Sequence, residues 1–339
     1  MQKPGFSRAA LVFVFVTAFH GPMTLACETK TGFLMPFKCP APEQLLAFFA
    51  LTARGACVTM AAMDFLTIGN ITKDLIPGGY TVGGTVTYAS VAAMRLGRRP
   101  GVLARVGADL ALPKIYDDIE LHALPSEHTL TFENVYTPTG RVQTIHALAG
   151  AIGREDVPAA LVQAAPPIVL LGPLAGELDP GVAELFPHAL RGFVPQGWMR
   201  RWDAQGRVSH APIACDADLL RYADVLVVST EDVNHDISLA RCYAEQVELV
   251  VLTRAMHGAD VYYRGRVTHV PPRPAREIDP TGAGDTFTAA FLICYSETGD
   301  PIKAARFANV TASFSIEASS YGAMPERAQV EAYLAEHGW

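Results

Sequence analysis

Residues Asp279–Leu292 read DPTGAGDTFTAAFL, a proline-containing turn that passes through small residues straight into an apolar helix. Gly282, Ala283 and Gly284 carry almost no side chain, so their backbone N–H groups can approach an anion closely. The helix that starts there adds the positive end of its dipole. Asp285 stands in the first turn, where a carboxylate is favoured and can reach a hydroxyl held beside the anion. Transfer of a phosphoryl group to a hydroxyl needs both parts in one place. A short Gly-Ala-Gly-Asp turn would also serve as a plain helix start; the full string favours the chemical reading. No G-x-x-x-x-G-K-[ST] string occurs, so a phosphate would not be held by a P-loop.

The elements that must position this turn alternate in type. Strands are predicted over Phe65–Gly69, Val102–Val106, Ile168–Leu171, Val225–Ser229 and Leu249–Thr253. Amphipathic helices are predicted over Thr87–Leu96, Asp179–Leu190 and Asp236–Gln246. That order argues for an α/β fold, a mostly parallel sheet flanked by helices. Thr129–Tyr136 and Arg141–Ala147 alternate on either side of Thr137-Pro138-Thr139-Gly140 and read as a hairpin that covers a site. The end of the chain is predicted helical over Thr286–Ser296, Pro301–Ser315 and Pro325–His337.

DPTGAGD resembles the motif near the C-terminus of PfkB/ribokinase-family kinases, in which the final Asp is the catalytic base. The resemblance runs from about Met63 to Pro325 and implies a ribokinase-like fold with a small β lid. It also implies ATP and Mg²⁺ as cofactors, with a monovalent cation near Asp279 as a further candidate. Ile68–Gly97 resembles the family's opening strand, its substrate-contacting Asp at Asp74, its Gly83-Gly84 pair and the helix after them. Tyr88 stands where ribokinases carry a sugar-binding Asn, which argues against ribose. On the nucleotide side the resemblance assigns Thr253, Gly258, Thr281 and Asn309 to cofactor binding and Asp232 to the metal. There the pattern departs from the family: Ala255 replaces the first glycine of T-x-G-x-x-G, and Ser229 and Asp232 replace the Asn and Glu of N-x-x-E. Alanine in a place that needs positive φ would strain the loop. Arg141 in the hairpin, the run Val194–Trp202 and Val270-Pro271-Pro272 resemble a branch that includes inositol kinases. The acceptor implied is a small sugar or polyol; a nucleoside or sugar-phosphate kinase and an inactive sugar-binding pseudokinase are the alternatives. A sugar phosphate would need a cationic cluster, for which Arg141, Arg105 and Lys73 are the candidates.

Half of the 339 residues are apolar, 18% are charged, and the net charge of −7 is spread without a basic run. A nucleic-acid partner is therefore not expected; small molecules are, with a homodimer as the candidate assembly. Six cysteines without a C-x-x-C pair suggest neither a disulfide framework nor a zinc site and read as reduced thiols of a cytoplasmic protein. Residues 1–62 read as a non-domain extension and 63–339 as the kinase domain, with Met60 or Met63 as candidate starts. Lys3 to Cys27 imitates a lipoprotein signal, but the apolar run Ala9–Phe19 is too short to span a bilayer, and export would remove the chain from ATP.

Overall fold

A computed structural model describes residues 63–137 and 140–338; the extension expected over 1–62 lies outside them. The strands, in chain order, are β1 (Phe65–Ile68), β2 (Thr72–Ile76), β3 (Gly79–Gly83), β4 (Pro100–Gly107), β5 (Glu120–Ser126), β6 (Leu130–Thr137), β7 (Gly140–Ala147), β8 (Ile168–Leu171), β9 (Leu190–Phe193), β10 (Arg200–Trp202), β11 (Val208–His210), β12 (Val225–Ser229), β13 (Leu249–Thr253), β14 (Ala259–Tyr263) and β15 (Arg266–Val270). The α-helices are α1 (Thr85–Arg95), α2 (Ala159–Ala164), α3 (Ile237–Tyr243), α4 (Ala283–Thr298), α5 (Pro301–Ser315) and α6 (Arg327–Glu336).

The main sheet has the order β15-β14-β13-β12-β9-β8-β1-β4-β5. Its pairs are parallel from β13 to β5 and antiparallel at β13/β14 and β14/β15. Its central strands are apolar on both faces because both are covered. In β8, Ile168 and Leu170 join one buried cluster, with α1, α4 and α5, while Val169 and Leu171 join the other. A second sheet, β3-β2-β6-β7, contains the expected hairpin as β6/β7. Its inner residues Leu130, Phe132 and Ile145 pack on Leu174 and Ala175, which follow β8. The fold is thus a mostly parallel α/β sheet carrying a small β lid.

Two sequence expectations fail. Asp179–Leu190 is not an α-helix but a 3₁₀ turn over Pro180–Leu185 followed by β9. Asp179 caps the turn by accepting a hydrogen bond from Gly181 N at 2.8 Å, but Pro187 then forbids helical geometry at Phe186 and stops propagation. Cys215 and Cys242, read as free thiols, form a disulfide with their Cα atoms 5.7 Å apart. They lie 27 residues apart, on the loop after β11 and in α3, so only the fold brings them together; Cys294 is a buried free thiol.

Candidate active site

Both helices that begin at the glycine motifs start bare. The N-cap of α1 is Gly84 at φ 94° and that of α4 is Gly282 at φ 76°, and neither helix start has a side-chain cap. Only glycine adopts such angles without strain. The first N–H groups of a helix have no intrahelical acceptor, so the α4 start presents Gly284 and Asp285 N–H groups with no side chain to absorb them. A Cβ added at Gly284 would meet no protein atom within 4 Å, whereas one at Gly282 would overlap the Tyr88 ring. The ground above Gly284 is open; that beside Gly282 is filled by Tyr88.

Asp285 sits half-buried in this first turn, with its pKa raised to about 6. Burial is the main cause and the charge of Asp232 adds to it, while the Thr85 hydroxyl and Arg200 oppose it. The Thr85 hydroxyl is near enough to favour the carboxylate yet completes no full hydrogen bond. Asp74, on β2, is likewise pushed up to about 6 by burial, with Thr72 and Arg200 opposing. Thr72 Oγ1 donates to Asp74 Oδ2 at 3.2 Å. The same carboxylate lies where a Gly83 side chain would be, so a Cβ there would overlap it. Gly83 is small because Asp74 is close, and Gly84 supplies the backbone angle that starts α1. Tyr88 shares this space: burial raises its pKa, and Asp74, Asp279 and Asp285 add to the rise against a hydrogen bond with Ser320.

The Asp279 carboxylate closes the turn from beneath. Oδ1 accepts from Thr281 N at 3.0 Å and Oδ2 from Ser320 N at 2.9 Å. Burial works against its charge, but these bonds outweigh burial and its pKa is lowered.

At the end of β12, Ser229 and Asp232 hold each other. Asp232 Oδ2 accepts from Ser229 N at 2.8 Å and from Ser229 Oγ at 2.7 Å, and Asp232 N donates back to Ser229 Oγ at 3.1 Å. Asp232 Oδ1 is buried without a hydrogen-bond partner. Thr253 is the register partner of Ser229, and its carbonyl accepts from Thr230 N at 3.0 Å. Beyond it, Ala255 has φ 47° and Gly258 φ 82°, and a Gly258 Cβ would overlap the Val270 carbonyl. Asn309 is buried, and its amide donates to the carbonyls of Val270 and Pro271, both at 3.0 Å. Its amide nitrogen is thus used inside the fold, and Thr281 is exposed above the turn.

The structure brings Asp74, Gly83, Gly84, Tyr88, Asp279 and the 282–285 turn together at the α1 and α4 starts, with Asp232 in electrostatic reach of Asp285. Arg141 lies on β7, and its side chain falls outside the described residues. Lys73 is paired with Asp109 at 3.2 Å, and Arg105 with Asp156 at 2.6 Å. Arg200, in the run Val194–Trp202, is 3% exposed. The sequence also gave no sign of Glu177, whose buried carboxylate accepts from the N–H groups of Leu174 and Ala175; an Asp-like loop acid has no local pattern.

Comparison with known proteins bears on this geometry. Residues 215–327 match the pfkB family of carbohydrate kinases. This stretch, about a third of the chain, is what resembles that family. It holds Asp232, Thr253, Gly258, Asn309 and the whole 279–285 turn. The chain is 33% identical over 100 residues to the ribokinase of Bacillus subtilis (strain 168), which covers 29% of this chain and 34% of that one. It is 26% identical over 272 residues to the inositol 3-kinase of Oryza sativa subsp. japonica, covering 70% of this chain and 64% of that one. The aligned parts thus span about a third and just under two thirds of these relatives. A pyrophosphate-dependent kinase in the ribokinase family superposes with a TM-score of 0.66 at 20% identity, over 79% of this chain and 99% of that one. The fold is therefore ribokinase-like.

Proposed function

We propose that this protein transfers the γ-phosphoryl group of ATP to a hydroxyl of a small neutral sugar or polyol, with Asp285 as general base. The observation that carries the reading is a carboxylate with a pKa near 6 in the first turn of an uncapped helix, above open ground at Gly284. A base with that pKa is ionised at neutral pH and still takes a proton usefully. The acceptor hydroxyl gives its proton to Asp285 while its oxygen attacks phosphorus. The Gly282 and Gly284 N–H groups of the turn neutralise charge on the transferring group, Ala283 N being bonded to the Pro280 carbonyl at 3.1 Å, and little else is demanded of the protein in such reactions. Asp74 accepts hydrogen bonds from other acceptor hydroxyls, and Gly83 keeps the wall low.

Asp232 suits Mg²⁺, because its unpartnered buried Oδ1 asks for a cation or a donor. Among the described residues no three acidic, His or Cys side chains cluster as ligands. Mg²⁺ bound with one carboxylate and the donor's phosphate oxygens is the usual arrangement for that ion, and it would supply charge neutralisation on those oxygens. The Lys73 and Arg105 ion pairs favour a neutral acceptor over a sugar phosphate, since both cations are already engaged. Supply of ATP makes the cytoplasm the compartment of this reading. The strained Ala255 loop favours a second reading, a sugar-binding protein without turnover.

A screen of sugars, polyols including inositols, and nucleosides, each with Mg²⁺ and either ATP or pyrophosphate, tests the proposal. Phosphorylation of a sugar or polyol with ATP is expected. Turnover confined to nucleosides, or confined to pyrophosphate, would contradict it, and sugar binding without donor consumption would establish the second reading.

A further inference from the structure

Arg200 is a guanidinium with 3% exposure in a fold where buried charge is costly unless matched. Its Nη1 donates to the Leu174 carbonyl at 3.0 Å, and its guanidinium carbon lies 5.4 Å from the centre of the Phe132 ring, on its face. The two anchors belong to one small buried cluster, Leu174 beside Gly84 and Phe132 beside Asp74. Leu174 closes the loop after β8 and faces Gly84, where an added Cβ would stand 3.3 Å from Leu174 Cδ1. Phe132 is the direct register partner of Asp74 across β2 and β6. The turn bearing Arg200 sits flush on the loop after β8: a Cβ at Gly197 would overlap the Pro173 and Leu174 backbone, and Gly197 N donates to Pro173 O at 2.9 Å. Three segments distant in sequence therefore fix one guanidinium, and from there it acts on Asp74 and Asp285 alike.

We propose that Arg200 is a positioning residue of the acceptor site, whose fixed guanidinium holds the Asp74 and Asp285 carboxylates toward one neutral, polyhydroxylated acceptor. A cation fixed within electrostatic reach of two carboxylates favours the charged form of both, and the guanidinium fork is fixed here by the Leu174 carbonyl and the Phe132 face. Two carboxylates against one cation leave the site unsuited to an anionic acceptor. The proposal rests on the reading of Asp285 as base. The groups that face Asp285 are Thr85, Arg200, Asp232 and Tyr88; those that face Asp74 are Thr72, Arg200 and Tyr88. Of these, Arg200 alone is a cation.

The test separates this inference from the kinase reading by beginning without any substrate. Aspartate carboxyl carbons labelled with ¹³C are titrated by NMR in the wild type, Arg200→Gln and Arg200→Lys, each checked for a cooperative melt. In Arg200→Gln the Asp285 and Asp74 midpoints should rise by roughly one unit or more, the usual effect of removing a near cation. In Arg200→Lys they should stay near the wild-type values. With a turned-over acceptor, Arg200→Lys should raise acceptor KM and lower kcat about tenfold or more, because a point charge replaces the fork, while the KM for ATP moves less than twofold. Unchanged midpoints in folded Arg200→Gln would overturn the proposal. So would wild-type kcat and acceptor KM in Arg200→Lys, which decides the matter even if the Gln variant does not fold. Should no acceptor be found at all, the kinase reading fails and the titration still gives its own answer.

Discussion

At the scale of single residues, Asp285 has a folded pKa raised from the ordinary 3.8 to about 6, so activity and stability should respond to pH in opposite senses. Turnover requires the ionised base, so kcat should fall as pH drops below about 6 and level off above it. Stability runs the other way: a carboxyl whose pKa is raised by folding favours the folded state when protonated, and that contribution is lost as pH rises from 3.8 through 6. Asp285→Asn should therefore lose about 10²- to 10⁴-fold in kcat, keep ATP and acceptor binding, and melt higher than wild type at pH 8 but not at pH 4. Single-turnover assays, calorimetric titration and thermal melts at the two pH values read these effects; near-normal turnover would remove Asp285 from the mechanism. Gly284→Val separates the cradle from the base. A side chain there meets no protein atom, so the melt should not fall, while ATP affinity and rate both should; an unaffected ATP affinity would put the donor phosphates elsewhere.

At the scale of elements, what the sequence discloses depends on how local the cause is. Ile168–Leu171, Val225–Ser229 and Leu249–Thr253 are found with their predicted bounds because each is a short apolar run covered on both faces. The 282–285 turn is legible for the same reason, since glycine identity directly encodes a bare helix start. β15 was not foreseen: four of its five residues are exposed, and its pairing with β14 supplies the order that composition does not. The burial of Arg200 was not legible, because it depends on β6, the loop after β8 and β10 meeting, which no spacing reveals. Asp74 was singled out through family resemblance alone, its closeness to Gly83 being a property of the β2/β3 register. The loop after β13 is a case where sequence and backbone agree: alanine replaces the expected glycine, and Ala255 indeed sits at φ 47°. Left-handed geometry costs a non-glycine residue roughly 1–2 kcal/mol. Ala255→Gly should raise stability by about 1 kcal/mol and leave ATP affinity equal or better, as measured by denaturant unfolding and calorimetry. A tenfold loss of ATP affinity would show that this loop does not serve the nucleotide.

At the scale of the whole molecule, the described residues supply every part that the proposed reaction uses. The β lid, the two bare helix starts and the Asp232 corner all lie between Met63 and Ser320, and Met63 itself belongs to one of the two buried clusters of the main sheet. No helix among the described residues is long and apolar enough to cross a membrane. Met63 is packed into the domain: it is 6% exposed, and its thioether fills the space over Gly101 so closely that a Cβ there would overlap it. Asp64 then ties β1 to the next strand, accepting from Arg99 N at 2.7 Å. A chain beginning at Met60 is therefore expected to melt and turn over like the full-length protein, whereas Met63→Ala within it should cost about 2–5 kcal/mol through the cavity left over Gly101. Thermal unfolding and acceptor phosphorylation of the three proteins measure this directly. If the Met60 chain fails to fold, residues before it belong to the folding unit; if it folds but Met63→Ala changes nothing, the domain's packing begins later in the chain than Met63.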